Sequence, residues 1–91
     1  MARFTISKHH TMSIDEVREA AEQLAQELKS AHGLRYRWSG DTATFNRSGI
    51  DGKLQIDEGE ITLSVKLGML ASAFERPLKQ AIQDYLDQYV S

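Results

Sequence analysis

The period of the hydrophobic positions changes several times along the chain. Phe4 and Ile6 alternate with Arg3, Thr5 and Ser7, which predicts a short strand with one covered face. Val17, Ala20, Ala21, Leu24, Leu28 and Ala31 then recur at helical spacing, with Glu19, Glu22, Gln23 and Glu27 on the other side. Ser13 followed three residues later by Glu16 predicts a capping box, flanked by a Met12–Val17 hydrophobic staple. Gly33 supplies the left-handed residue that ends the helix.

From Leu34 the period is two. Leu34, Tyr36 and Trp38 alternate with Arg35 and Arg37, and a Gly40-Asp41 turn leads to Ala43, Phe45 and Arg47. Leu54 and Ile56 follow, then a Glu58-Gly59 turn, then Ile61, Leu63, Val65 and Leu67 against Thr62, Ser64 and Lys66. Four strands joined by tight turns predict an antiparallel meander with one wet face. Past Gly68, the positions Leu70, Phe74, Leu78, Ala81, Ile82, Tyr85 and Tyr89 mark a second helix. Its regular body is expected from Pro77 to Tyr89 after a looser turn, because proline lacks an N–H and suits a first turn. The order β-α-β-β-β-β-α predicts an α+β fold, an antiparallel sheet with both helices packed on one face. The first strand is expected at an edge of the meander.

Composition adds limits rather than an activity. The chain has 91 residues, enough for one domain over 1–91, with 41% hydrophobic and 26% charged residues. Its formal net charge of -2 supplies no global attraction to nucleic acid. There is no cysteine, which removes disulfides and thiolate chemistry. No stretch reads as a signal peptide or a membrane span, so the expectation is a soluble, intracellular protein.

Asn46-Arg47-Ser48-Gly49-Ile50-Asp51-Gly52-Lys53 could be a phosphate-cradling loop or a hairpin. Such cradles open a helix, and here the flanking segments have strand period, so a turn is expected, centred on Asp51-Gly52 with Ser48-Gly49 as a bulge. His9 and His10 are adjacent on an extended segment and point apart, which favours a corner with solvated imidazoles over a metal site. The acids of the first helix lie opposite its stripe or in its first turn, and nothing there would desolvate one for acid–base work. Ser48 and Ser64 lack an identifiable base. Trp38 and Tyr36 could stack on bases, but their parity places them in the core with Phe45. No cofactor is implied.

Two surface patterns remain. The wet sheet face displays Arg3, Arg35, Arg37, Lys53 and Lys66, a candidate face for an anionic partner, with a solvated sheet face as the plainer reading. The stretch Gly68–Phe74 is apolar on more than one side, and Leu86 and Val90 lie off the main stripe of the last helix. Met69, Leu70, Phe74, Leu86 and Val90 therefore form a candidate partner or dimer surface; the plainer reading is a plug for the end of a small core.

The runs Leu34-Arg35-Tyr36-Arg37-Trp38-Ser39-Gly40-Asp41, Phe45-Asn46-Arg47-Ser48-Gly49-Ile50-Asp51-Gly52, Val65-Lys66-Leu67-Gly68-Met69-Leu70 and Arg76-Pro77-Leu78-Lys79 resemble those of the polyhydroxyalkanoic acid system proteins. These are short bacterial proteins encoded near genes for polyhydroxyalkanoate, a storage polyester. The likeness extends over nearly the whole chain. It implies a cytoplasmic, granule-associated or regulatory protein, and it carries over no catalytic residues. The expected function is that of a non-enzymatic accessory protein that binds the granule, a granule protein or a second copy as a homodimer. Rival readings are a nucleic-acid or acidic-protein binding module using the basic face, and a small apolar ligand carrier with a pocket lined by Trp38, Phe45 and Phe74.

Overall fold

The computed structural model describes residues 2–90. Strand β1 (Ala2–His9) leads to helix α1 (Ile14–His32), followed by β2 (Arg35–Ser39), β3 (Thr42–Arg47), β4 (Ile50–Asp57) and β5 (Glu60–Leu67). A 3-10 turn over Met69–Phe74 then runs into α2 (Glu75–Tyr89). The sheet order is β1-β5-β4-β3-β2, and every neighbouring pair is antiparallel. The first strand thus joins the far side of the meander, next to β5. Because β1 and β2 occupy opposite edges and point the same way, α1 must cross the covered face between them, and α2 returns antiparallel to it.

The capping box at the start of α1 is complete. Ser13 N–H donates to Glu16 Oε1 and Glu16 N–H donates to Ser13 Oγ, each at 3.2 Å. At the other end Gly33 has φ 69°, and its N–H reaches the carbonyls of Leu28 and Lys29. The helix buries Val17, Ala21, Leu24, Ala25 and Leu28. Ala25 belongs to that stripe and Ala31 does not, because the contact line drifts as α1 crosses the strands.

Alternation holds on all five strands. Phe4, Ile6, Ala43, Phe45, Leu54, Ile56, Ile61, Leu63, Val65 and Leu67 are buried, and the residues between them face outward. Full burial of each large apolar side chain stabilises the fold by about 1.5–3 kcal/mol, so this face and the two helices supply most of the favourable free energy.

The hairpin between β3 and β4 differs from the sequence expectation. Its turn falls on Ser48-Gly49, with Arg47 opposite Ile50, and Asp51 and Gly52 lie within β4. Ile50 decides the register. A turn at Asp51-Gly52 would leave Ile50 on the parity of the wet face, since a one-residue shift inverts every side chain. The observed turn places Ile50 in the core at 3% exposure. Gly52 instead sits opposite Phe45, where a Cβ would lie 3.5 Å from Phe45 Cβ.

Gly49 has φ 81°, and an added Cβ would lie 3.2 Å from the Ala71 Cβ; Gly40 has φ 60° with open space around it. Gly40→Ala is therefore expected to cost only the left-handed backbone penalty, about 1–2 kcal/mol. Gly49→Ala should cost more, because it also pushes on the 3-10 turn. Urea unfolding of the two variants measures the difference, and equal costs would contradict this packing.

Candidate functional site

The 3-10 turn is tied to the β3–β4 turn by one main-chain bond and closed by two bonds of its own. Gly68 N–H donates to the Gly49 carbonyl at 2.7 Å, Ala71 N–H to the Gly68 carbonyl at 3.1 Å, and Ser72 Oγ to the Met69 carbonyl at 2.9 Å. Of its six residues only Ala71 is buried. Met69 is 79% exposed, Leu70 97% and Phe74 49%. The Arg47 guanidinium lies 5.7 Å from the Phe74 ring centre and also donates to the His32 carbonyl at 2.7 Å. Arg47, Ser48, Gly49, Met69, Leu70 and Phe74 border an open hollow of about 450 Å³.

Leu86 and Val90 are not part of that surface. Both are in the core, at 2% and 1% exposure. The buried stripe of α2 is Leu78, Ile82 and Leu86, continued by Val90 in the extended residue that caps the helix. Tyr85 is half-buried beside it and Tyr89 is exposed, their ring centres 4.5 Å apart. Extrapolating the stripe from Leu70 and Phe74 misplaces it. Those residues lie in a 3-10 turn, where each residue advances by 120° rather than 100° and the phase is lost. Burial comes first among the causes that raise the Tyr85 pKa, followed by Tyr89, Glu27 and Glu19.

The five candidate cations are all exposed on the open sheet face. Register arranges them in two rows. Arg3, Lys66, Asp51, Asn46 and Arg35 lie across the sheet beside the end that carries the 3-10 turn. Thr5, Ser64, Lys53, Thr44 and Arg37 form the next row on that face. A shallow depression of about 360 Å³ lies over Arg3, Asp51, Lys53 and Lys66. Asp51, directly opposite Lys66, offsets part of the positive field.

Trp38 and Tyr36 face α1, but half-buried, and what holds them is polar. Trp38 Nε1–H donates to Glu22 Oε1 and Tyr36 O–H donates to Glu22 Oε2, both at 2.8 Å. Arg18 stacks 4.8 Å from the Trp38 ring centre. Glu22 is therefore the clasp between α1 and the edge strand β2 rather than a solvated helix acid. Burial alone would raise its pKa, but hydrogen bonds from Gln26, Trp38 and Tyr36 and the charge of Arg18 outweigh it and hold the carboxyl below its ordinary value of 4.5. The same bond raises the Tyr36 pKa, helped by burial. An aromatic pair four residues before a hairpin and an acid on a preceding helix carry no spacing rule, so sequence inspection had no means of joining them.

The histidine pair divides. His9 is exposed, with Nδ1 3.8 Å from Glu60 Oε2. His10 is buried at 5% exposure, which corrects the expectation of two solvated rings. Its Nε2–H donates to the Asp57 carbonyl at 3.0 Å and its main-chain N–H to the Gly59 carbonyl at 3.0 Å, tying the β1–α1 corner to the β4–β5 turn. The buried Nδ1 has no hydrogen-bond partner among the described residues. No three His, Asp or Glu among the described residues gather as a metal-ligand set. Among the described residues, a space of about 10 Å³ lies between helices and sheet among Leu28, Phe45, Leu63 and Ile82, too little for a ligand. Trp38 and Phe74 do not line it, so it is not the pocket of the rival carrier reading. No described helix is long and apolar enough to cross a membrane.

Glu22→Ala should destabilise the fold by about 1–3 kcal/mol, the cost of leaving two partly buried donors without an acceptor. Because the carboxyl titrates lower in the folded chain than in the unfolded one, its contribution is present above pH 4.5 and is lost as pH falls through the lowered value. The variant should therefore lose less stability than the parent between pH 7 and strongly acid conditions. Urea titrations at both pH values test this; parallel losses would show that Glu22 is not the clasp.

Residues 4–90 match the family model described as "Putative polyhydroxyalkanoic acid system protein". Comparison with curated proteins gives no match, and comparison with solved structures gives none. The match takes in β1 from Phe4 onwards, the other four strands, both helices and the Met69–Phe74 corner. The chain belongs to the polyhydroxyalkanoic acid system protein family.

Proposed function

We propose that this chain is a non-enzymatic accessory protein of polyhydroxyalkanoate metabolism, working in the cytoplasm by binding at the polyester granule. The contact is the Met69–Phe74 corner. One observation carries the reading: three large apolar side chains stand exposed within six consecutive residues, on a turn anchored at its start by the Gly68 N–H to Gly49 carbonyl bond and by the burial of Ala71. Singly exposed apolar residues are ordinary, whereas a cluster fixed on a rigid support is the usual form of a contact surface. A partner-facing cluster also explains why the core leaves these residues out while burying Leu86 and Val90 towards the other end of α2.

Binding is favoured over catalysis by where the perturbed titratable groups lie. Glu16 caps a helix, and Glu22 clasps an edge strand as the acceptor for Trp38 and Tyr36; Glu16 and Tyr85 border one open hollow between α1 and α2, where no metal-ligand set gathers among the described residues. The basic sheet face is the second candidate surface. It is shallow and interrupted by Asp51, which favours it as an adjunct to the corner over an independent nucleic-acid site.

Leu70→Asp and Met69→Asp are expected to lower the granule-bound fraction in co-sedimentation by about tenfold or more, with unchanged circular dichroism, since each removes apolar area and adds a charge at the contact. Leu86→Asp would only unfold the core and is the wrong probe. Parent-like sedimentation of both corner variants would eliminate this surface.

A further inference from the structure

The antiparallel topology separates charge along the helices. α1 runs towards the end of the sheet that bears the 3-10 turn, and α2 starts from it. That half of the molecule receives the two basic sheet rows, Arg47, Lys29 near the end of α1, and Arg76 and Lys79 at the start of α2. It holds nine of the 11 Lys and Arg side chains against three acids, Glu27, Asp51 and Glu75, a net of +6. The opposite half takes the acids of the first turns of α1, of the β2–β3 and β4–β5 turns, and Asp84 and Asp87 of α2. It holds ten acids against Lys8 and Arg18, a net of -8. The two values restore the formal -2 of the chain. The outer ends of the two halves lie roughly the length of α1 apart, about 28 Å, which exceeds the screening length of about 8 Å at physiological salt. A surface approached by one pole therefore meets the charge of that pole and not the net charge.

The exposed apolar cluster sits on the basic pole. We infer that the corner docks on an anionic lipid layer, with Leu70 and Met69 entering among the acyl chains and Arg3, Arg35, Arg47 and Lys66 held against the headgroups. This rests on the corner being the contact surface and specifies what it meets. Apolar side chains projecting beyond a cationic rim match an interface that is greasy within and negative at its surface. A neutral polyester face would leave the basic pole without a counterpart. A second copy meeting corner to corner would bring two basic surfaces together, while the acidic pole of a second copy or a purely anionic polymer would leave Leu70 without an aliphatic counterpart.

The test is co-sedimentation of the full chain with vesicles of phosphatidylglycerol mixed with phosphatidylcholine, with vesicles of phosphatidylcholine alone, and with purified granules. Binding to the anionic vesicles is expected, about tenfold above the neutral ones and weakening as salt rises. Leu70→Asp should abolish it. Combined Arg3→Glu, Arg35→Glu and Lys66→Glu, checked for parent-like melting, should reduce it to the neutral-vesicle level. Granule binding that needs Leu70, without preference for anionic vesicles, would overturn the lipid inference and leave the contact surface standing. Leu70-independent granule binding would remove the contact surface itself. Vesicle binding lost on charge reversal but unaffected by Leu70→Asp would also overturn the inference, as would capture by an acidic protein or by DNA in preference to anionic vesicles.

Discussion

Antiparallel register is the constraint on which everything else in this molecule depends. Five strands with a period of two must send one set of side chains beneath two helices and the other to water, and a single-residue slip would exchange them. The pairing of Arg3 with Lys66 and of Lys66 with Asp51 follows from that register, as does the burial of Ile50. So does the position of the 3-10 turn, since β5 ends where the Ser48-Gly49 turn offers the Gly49 carbonyl to Gly68. The greasy corner and the cationic rows reach the same end because the ladder permits no other arrangement.

Much of this was readable from residues alone. Alternation located the strands, Ser13 and Glu16 marked the start of α1, and Gly33 marked its end. The readable features were local ones, in which a short segment already contains the cause. What was not readable depended on contacts between distant segments. Glu22 looks like any outward helix acid until β2 is placed beneath it. His10 looks solvated until the β4–β5 turn closes over it. Asp51-Gly52 is the stronger turn signal, yet the burial of Ile50 overrides it in favour of Ser48-Gly49.

The candidate site divides in the same way. Met69, Leu70 and Phe74 stood out because no helix drawn through them has a single apolar face, and they are exposed. Leu86 and Val90 were assigned to the same surface by a helical phase carried through a 3-10 turn, and they are core residues. The five sheet cations are outward, as strand parity implies. Topology adds a division end against end, because each helix carries most of its cations towards the corner, Arg18 excepted, and most of its acids away from it. A chain of net charge -2 can in this way present a positive, apolar tip.

Orientation on the granule is the most direct test of this picture. The chain has no cysteine, so single labels can be placed without interference. An environment-sensitive fluorophore on Ser72→Cys, beside the exposed leucine, should shift to shorter wavelength when granules are added, while the same label on Glu58→Cys at the acidic pole stays as in water. A shift at Glu58→Cys with none at Ser72→Cys, or equal shifts at both, would contradict a molecule that meets its partner tip first.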